Sequence, residues 1–237
     1  MRIKVVGRLL DWPEKKSWIP THDIYAMLLN RLGLEQKARA HSEVKQTCLF
    51  TFSKITIDDK KKTFHFYFSS TPELTKQMVD SFYSQPYFHV NSSYVGKKNK
   101  YIMEVRHTTI LKELPIRDRY LFKGRILASS GDRKQVLTKT HEIEALLEQI
   151  GKHKLTQLGF VDPDVQIMVY SREDAETRYE CDRYDIQEPA NRIKKAVRIP
   201  SHFVTLGVSG DYQAIEALYS IGFGQNTGTG NGLLWEV

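Results

Sequence analysis

Alternating apolar and polar residues predict five strands in the first half of the chain. The clearest alternation is that of Phe64, Phe66 and Phe68 with the residues between them. In residues 48–57 the apolar positions change phase near Lys54, which predicts a β-bulge or a change of register there. The predicted strands cover residues 2–10, 48–57, around 64–68, 87–95 and 100–111.

Two helical regions are predicted between these strands, because apolar residues recur there every three or four positions. The first begins at Thr21, a residue type that caps helix N-termini, and Gly33 interrupts it before a second helical piece over about residues 35–43. The other helix opens with Pro72, in the first turn where proline is favoured. Strands and helices together give the order β-α-β-β-α-β, the ferredoxin-like arrangement.

The second half repeats this order after a predicted boundary at Leu114–Pro115. The polar stretch 172–190 is interpreted as a long loop, and Pro200–Ser201 as the turn of a hairpin. We therefore predict an α+β protein of two tandem ferredoxin-like (RRM-like) domains, residues 1–114 and 115–237. The predicted elements of the second half are strands at 119–128, around 165–169, at 193–199, 202–208 and 233–237, and helices at 139–158 and 213–221.

Charge changes this picture by favouring a polyanionic partner. The chain has 35 Lys and Arg against 28 Asp and Glu, for a net charge of +7. Three basic clusters are interleaved with aromatic residues, a combination typical of nucleic-acid binding. They lie at 97–100, 117–125 and 192–198. From the last cluster we predict RNA contacts by Lys194, Lys195 and Arg198.

Composition also excludes several classes of protein. No apolar run is long enough to span a membrane, and the first residues mix charges with short apolar runs, which predicts a strand and not a signal peptide. Cys48 and Cys181 are far apart and lack metal-ligand spacing, so both are predicted to be reduced. We expect a cytoplasmic protein without a metal or other cofactor.

Five glycines lie between a short amphipathic helix and the apolar end of the chain. Because glycine adopts φ > 0 without a Cβ clash, such a run can turn several backbone N–H groups towards one point. The helix precedes the loop and the strand follows it, the reverse of a P-loop or a Rossmann turn, which excludes those nucleotide sites. The loop is either a plain connector or an RNA contact. The RNA contacts predicted here are Gly222, Gly224, Gly228, Gly230 and Gly232.

This glycine run resembles the C-terminal motif of the RAMP superfamily of CRISPR-associated RNA-binding proteins. Two N-terminal segments, IPTHDIYAMLL (19–29) and AHSEVKQTCLFTFS (40–53), look like the signature of one group within it. That group is the CRISPR repeat-processing endoribonucleases, the sixth Cas family. The resemblance covers the two ends of the chain, whereas the middle matches only in the order of elements.

The resemblance implies that His41, Tyr25 and Lys45 are catalytic. In that family a tyrosine on the first helix and a histidine before the Leu-Phe-Thr strand take part in cleavage, often with a lysine nearby. His22, at the start of the same helix as Tyr25, is a rival for the acid–base role.

The chemistry needs only positioned acid–base and cationic groups, because RNA is cleaved when its own 2′-OH is deprotonated and aimed at the adjacent phosphate. A histidine serves in either direction near neutral pH. Tyr25 would orient or help to deprotonate the 2′-OH, and Lys45 would stabilise the phosphate charge. The family's lysine often lies nearer the strand, where this chain has Cys48, so Lys54 or an arginine is the alternative cation.

Three hypotheses for function follow. The first is a metal-independent endoribonuclease that cleaves CRISPR precursor RNA within repeats, leaving guide RNAs with 2′,3′-cyclic phosphate and 5′-OH ends. The second is a non-catalytic guide-RNA-binding RAMP subunit of a CRISPR effector complex. The third is a tandem ferredoxin-like RNA-binding module unrelated to CRISPR. CRISPR repeat RNA is the expected partner, and other effector subunits or a homodimer are left open.

Overall fold

The fold is taken from a computed structural model, which describes residues 1–11, 21–34, 48–94, 97–129, 137–180, 196–225, 227 and 230–237. In these ranges the helices are α1 (Thr21–Arg31), α2 (Pro72–Ser84), α3 (Thr140–Gln157) and α4 (Tyr212–Ile221). The strands are β1 (Arg2–Asp11), β2 (Phe50–Phe52), β3 (Thr56–Asp58), β4 (Thr63–Ser70), β5 (Tyr87–Tyr94), β6 (Lys97–Ile110), β7 (Arg119–Ile126), β8 (Val165–Glu180), β9 (Ala196–Gly210) and β10 (Leu234–Glu236).

The first sheet has the order β2-β4-β1-β6-β5, and β3 also pairs with β4. All of its described pairs are antiparallel. The segment β6-β1-β4-β2 is the ferredoxin-like arrangement, and β5 extends it as the hairpin partner of β6. Phe52 lies opposite Phe68 while Thr56 lies opposite His65, a shift of one residue that confirms the predicted irregularity near Lys54.

The second sheet has the order β10-β7-β9-β8, with every pair antiparallel. The first and third strands of this half are central and the second and fourth are at the edges, as in a ferredoxin-like sheet. The predicted α+β class with tandem ferredoxin-like units is therefore confirmed. The two sheets lie within residues 2–110 and 119–236, on either side of the predicted boundary at Leu114–Pro115.

The predictions for residues 172–208 were wrong in two respects. β8 continues through Glu180, so the start of the predicted long loop is a strand. β9 runs without a break from Ala196 to Gly210, so Pro200–Ser201 is not a hairpin turn. Pro200 lies opposite Glu176 of β8, in the part of β9 that β7 does not reach, and a position paired on one side only tolerates proline.

Each half has its own hydrophobic core between its sheet and its helices. The first core is aromatic, with Phe50, Phe66 and Phe82 almost completely buried. In the second core, Phe122 of β7 and Leu218 of α4 are fully buried. These cores fix one face of each sheet against helices and leave the other face for contacts with the other half or with a ligand.

The two halves share a buried contact around Arg2 of β1. Its guanidinium lies 3.2 Å from the centroid of the Tyr219 ring and donates hydrogen bonds to the backbone oxygens of Tyr219 and Leu234. Beside it, Ser69 Oγ donates to the backbone oxygen of Ser220 at 2.6 Å. The end of α4 and the start of β10 are thereby held against the open face of the first sheet.

Candidate nucleic-acid interface

Tyr25 is the one predicted catalytic residue whose side chain the structure describes. It lies on α1, half-buried, with its ring stacked on Phe50 of β2 at a centroid distance of 5.9 Å. Burial raises the pKa of the Tyr25 phenol to about 12, with a smaller contribution from Cys48. At neutral pH the phenol is therefore protonated, so its hydroxyl can donate a hydrogen bond but does not act as a base.

His41 and Lys45 lie outside the described residues, and so does the side chain of His22. The described chain resumes at Cys48, three residues after Lys45. Burial raises the pKa of the Cys48 thiol to about 11, and the thiol donates to the Phe50 backbone oxygen at 3.6 Å. Cys48 is therefore a neutral group at the position near which the family that the sequence resembles often has a lysine.

The loop of residues 222–232, called the glycine loop here, connects α4 to β10. Gly222 has φ of 92° and its Cβ position lies 2.9 Å from Thr51 Cβ, so a side chain there would collide with the first half. Gly232 has φ of 79°, and a Cβ would lie 2.1 Å from the Phe223 backbone oxygen. Both positions combine a left-handed conformation with close packing, which only glycine satisfies.

The glycine loop is hydrogen-bonded to the segment Cys48–Thr51. Thr51 Oγ1 donates to the Asn231 backbone oxygen at 2.8 Å, and Thr227 Oγ1 donates to the Cys48 backbone oxygen at 3.3 Å. This segment directly follows the residues that carry His41 and Lys45. The structure therefore places the two motifs of the sequence resemblance, which are about 180 residues apart, in direct contact.

The glycines predicted to contact RNA occupy different environments. Gly222, Gly224 and Gly232 are buried, and the atoms around them belong to the protein. Gly230 is partly exposed, with φ of 82°, and Gly228 lies outside the described residues. Gly222 lies against Thr51 of the first half, whereas the atoms nearest to Gly224 and Gly232 belong to the second half. RNA contact by this loop stays a prediction.

Lys154 of α3 is a buried cation that the sequence reasoning missed. Its side chain is 1% exposed, and Nζ donates to the Gly222 backbone oxygen at 2.8 Å and to Thr227 Oγ1 at 3.4 Å. Burial lowers the pKa of Lys154 to about 7, while the nearby Cys48 raises it. The signal was present in the sequence, since Lys154 continues the apolar stripe of Ile143 and Leu147.

Because of this pKa, the stabilities of the wild type and of Lys154→Met should diverge with pH. Between about 7 and the ordinary value of 10.5, the unfolded chain holds a proton that the folded chain has released. The free energy of unfolding of the wild type should therefore rise with pH in this window, by at most about 1.4 kcal/mol per pH unit, and the variant should lack this slope. Urea unfolding at several pH values tests this, and parallel curves would contradict it.

The predicted basic residues are only partly described. Lys194 and Lys195 lie outside the described residues, and Arg198 is placed by its backbone alone, opposite Arg178 on the β8–β9 hairpin. The middle cluster is well defined, because Arg119 and Lys123 alternate with buried residues along β7 and point away from the core. The open face of the second sheet is therefore basic along β7.

Aromatic rings on the open sheet faces accompany these charges. Tyr67 of the first sheet and Trp235 of the second meet edge to face, with ring centroids 4.7 Å apart. Lys4 Nζ lies 5.9 Å from the Tyr67 ring centroid, and Lys123 Nζ lies 5.5 Å from that of Phe203. The two faces thus form one continuous strip of aromatic and basic side chains, in which Trp235 lies opposite Lys123. The sequence did not reveal this strip because its parts come from five strands.

Among the residues that the structure describes, no group of three or more His, Cys, Asp and Glu side chains is placed to hold a metal ion. None of the helices in the described ranges is long and apolar enough to cross a membrane.

No model of a known protein family matches the sequence, and a search of curated proteins finds no significant match. Solved structures do match, over the whole chain. A RAMP protein described as binding different RNA substrates has a TM-score of 0.66 at 15% identity, with 100% of this chain and 99% of that chain covered. A CRISPR-associated protein Cas6 has a TM-score of 0.65 at 18% identity, with 100% and 99% covered. A Cas6-related protein from Pyrococcus furiosus has a TM-score of 0.66 at 17% identity, with 100% and 98% covered.

These three structures are similar to this chain in both halves, including the region between the two terminal motifs. At these identities the likeness establishes the fold. The chain therefore has, over its full length, the fold of RAMP and Cas6-related structures, the superfamily that its glycine loop and N-terminal segments resemble.

Proposed function

We propose that the protein is a metal-independent endoribonuclease that cleaves CRISPR precursor RNA within its repeats. The single observation that supports this most is the full-length likeness to structures described as Cas6, Cas6-related and RNA-binding RAMP proteins. The products would be guide RNAs with 2′,3′-cyclic phosphate and 5′-OH ends, and the reaction would take place in the cytoplasm. Other effector subunits and a second copy of the chain are further proposed partners.

In this proposal His41 is the general acid or base of the reaction. It removes the proton of the scissile 2′-OH or protonates the departing 5′ oxygen. Lys45 stabilises the charge that develops on the phosphate oxygens. Tyr25 orients the reacting group by donating a hydrogen bond from its protonated phenol, the role that its raised pKa supports.

The contact between the glycine loop and Cys48–Thr51 supports this arrangement. That segment begins three residues after Lys45 and is held by hydrogen bonds from Thr51 and to Cys48. Phe50, in its middle, also carries the Tyr25 ring. The segment that follows the proposed catalytic residues in sequence and the ring that packs against Tyr25 therefore belong to one structural unit.

RNA would be bound along the strip of aromatic and basic residues on the open sheet faces. Aromatic rings stack on bases of any sequence, and neighbouring lysines and arginines contact phosphates. Tyr67, Trp235 and Phe203 supply rings, and Lys4 and Lys123 supply charge. Gly230, Lys194, Lys195 and Arg198 are proposed to add contacts.

A second candidate is a non-catalytic RAMP subunit that holds guide RNA. One observation favours it. Near the position of Cys48 the family that the sequence resembles often has a lysine, but here Cys48 carries a buried neutral thiol whose pKa is about 11. A protein that only binds RNA needs no cation there. The binding surface is the same in both proposals, so cleavage separates them.

The two candidates are separated by incubating a repeat-containing RNA with the protein in EDTA and analysing the product ends by mass spectrometry. We expect one cut per repeat, with a 2′,3′-cyclic phosphate on one product and a 5′-OH on the other. Products with 3′-OH and 5′-phosphate ends, or cleavage that EDTA abolishes, would contradict the mechanism. RNA that is bound and left intact would favour the non-catalytic subunit.

Tyr25→Phe tests the role of the phenol without disturbing the stack on Phe50, because the ring is retained. If the hydroxyl donates to a charged group in the transition state, its removal should slow single-turnover cleavage by about 10- to 100-fold. RNA affinity and thermal stability should stay close to those of the wild type. An unchanged cleavage rate would show that Tyr25 only packs against β2.

A further inference from the structure

Tyr170 is the extra residue of a β-bulge in β8. Val169 lies opposite Leu206 of β9 and Ser171 lies opposite Thr205, so two residues of β8 advance while β9 advances by one. A bulge of this kind re-aims a side chain that a regular strand would place elsewhere, and bulges are common next to functional sites. Tyr170 is 65% exposed, in a sheet where large side chains are mostly buried.

The ring of Tyr170 lies over Gly207 of the central strand β9. A Cβ built at Gly207 would be 2.3 Å from Tyr170 Cε2, so the ring occupies the space above a residue that has no side chain. Gly207 in turn lies opposite Leu121 of β7. The edge of an aromatic ring from an edge strand thus points at the middle of the sheet, and much of the ring's surface is open to solvent.

Apolar and basic side chains surround this ring. Leu121 is 45% exposed and Met168 is 56% exposed, and both line, together with Tyr170, a groove of about 890 Å³. Arg117 and Arg119 lie at its rim. The carboxylate side chain among these lining residues, that of Glu148, already has a partner in the protein.

Glu148 lines the groove, whereas Glu236 directly precedes the lining residue Val237. Glu148 accepts a hydrogen bond from the Ile167 backbone N–H at 3.0 Å, and Glu236 pairs with Arg117 at 2.9 Å. Because Glu236 pairs with Arg117, the exposed basic residues on this face are Arg119 and, further along β7, Lys123. The groove therefore offers an apolar floor with a basic rim, which is complementary to a base attached to a phosphate.

We propose that Tyr170, held over Gly207, is a stacking platform for one nucleobase of a single-stranded RNA segment, with Leu121 and Met168 beside the base and Arg119 at its phosphate. This rests on the proposed function only in that the ligand is RNA. Tyr170 comes from β8, the edge strand opposite β10, so its ring lies away from the Tyr67–Trp235 pair on the same open face of the second sheet.

Sheet faces of this architecture bind single-stranded RNA by stacking bases on aromatic rings of the central strands. Here the central strands β7 and β9 carry no aromatic residue at this position but Leu121 and Gly207. The ring of Tyr170, from the bulge in β8, lies beside Gly207 instead. A protein ligand is favoured less, because the rim is basic and the exposed apolar area is limited to four side chains, those of Leu121, Met168, Tyr170 and Val237. Stacking on an aromatic ring tolerates any base, so we expect weak sequence preference at this position.

The test compares the affinities of four variants for a fluorescein-labelled repeat RNA by anisotropy. Tyr170→Ala removes the ring, Gly207→Ala displaces it through the close contact with Cε2, and Tyr170→Phe retains it. Tyr83→Ala removes an equally exposed tyrosine (69%) from α2 and serves as the matched control. Circular dichroism and thermal unfolding confirm that each variant is folded.

We expect Tyr170→Ala and Gly207→Ala to bind about 5- to 100-fold more weakly, and Tyr170→Phe and Tyr83→Ala to bind as the wild type does. A repeat RNA in which 5-iodouridine replaces the nucleotide at the bound position should also give a photocrosslink to Tyr170 of the wild-type protein. Wild-type affinity in both Tyr170→Ala and Gly207→Ala would overturn the platform, even if the protein binds and cleaves RNA. A wild type that binds no RNA would overturn the proposed function and the platform together.

Discussion

The His41→Ala protein is expected to bind repeat RNA as the wild type does and to cleave it about 10²- to 10⁴-fold more slowly. This is the size of effect that a positioned general acid or base supplies. Because the proposed binding surface spans both sheets, binding should not depend on this imidazole. Single-turnover cleavage with excess protein measures the rate, and anisotropy with the same RNA measures affinity.

The matched control is His22→Ala, which removes the rival histidine at the start of α1. We expect the control to cleave at a rate within about threefold of the wild type, less than the smallest effect of a general acid or base. A large loss in His22→Ala with normal cleavage by His41→Ala would transfer the acid–base role to His22. Normal cleavage by both variants would remove histidine from the mechanism.

Arg2→Ala is expected to lower the free energy of unfolding by about 3–5 kcal/mol. The Arg2 side chain is buried, and its loss leaves the backbone oxygens of Tyr219 and Leu234 without their donor, at about 1–3 kcal/mol each. The cation–π contact with the Tyr219 ring is lost as well. Although burial lowers the pKa of Arg2 to about 9, the guanidinium is still charged at neutral pH.

The control for this variant is Arg8→Ala, on the same strand. Its side chain is 52% exposed, and its partner Glu104 keeps a second ion pair with Arg106 at 2.9 Å. A loss below about 1 kcal/mol is therefore expected. Urea unfolding followed by tryptophan fluorescence and by circular dichroism measures both variants. Equal losses in the two proteins would contradict a special role of Arg2 between the halves.

Much of the fold could be predicted because local patterns and tertiary packing agree in it. The alternation of Phe64, Phe66 and Phe68 predicted a strand, and the structure buries all three against α1 and α2. The phase change near Lys54 predicted the irregularity between β2 and β3. The domain limits, 1–114 and 115–237, stay a prediction, although the two sheets lie on either side of that boundary.

The long β8–β9 hairpin could not be predicted, because its stability comes from pairing between strands. Residues 172–180 are polar and carry no apolar alternation, so they favoured a loop. Pro200 favoured a turn for the same local reason. In both segments the backbone N–H and C=O groups pair with a neighbouring strand, and a local sequence pattern does not indicate such pairing.

The candidate site was predicted in part. Sequence resemblance pointed to the N-terminal segments and the glycine loop, and the structure brings Cys48–Thr51 and that loop together. Arg2 and the Tyr67–Trp235 pair were missed, because each depends on contacts between residues more than 60 positions apart. The place of Lys154 in an apolar helix stripe indicated its burial, but its distant partner Gly222 could not be predicted. Catalysis by His41, Tyr25 and Lys45 stays a prediction.

The most direct test of the proposed mechanism uses a repeat RNA in which hydrogen replaces the 2′-OH of the scissile nucleotide. Wild-type protein is incubated in EDTA with this RNA and, in parallel, with the unmodified RNA. We predict that both RNAs bind with similar affinity and that only the unmodified RNA is cut. Cleavage of the deoxy RNA at the same position would contradict a mechanism in which the RNA's own hydroxyl is the nucleophile.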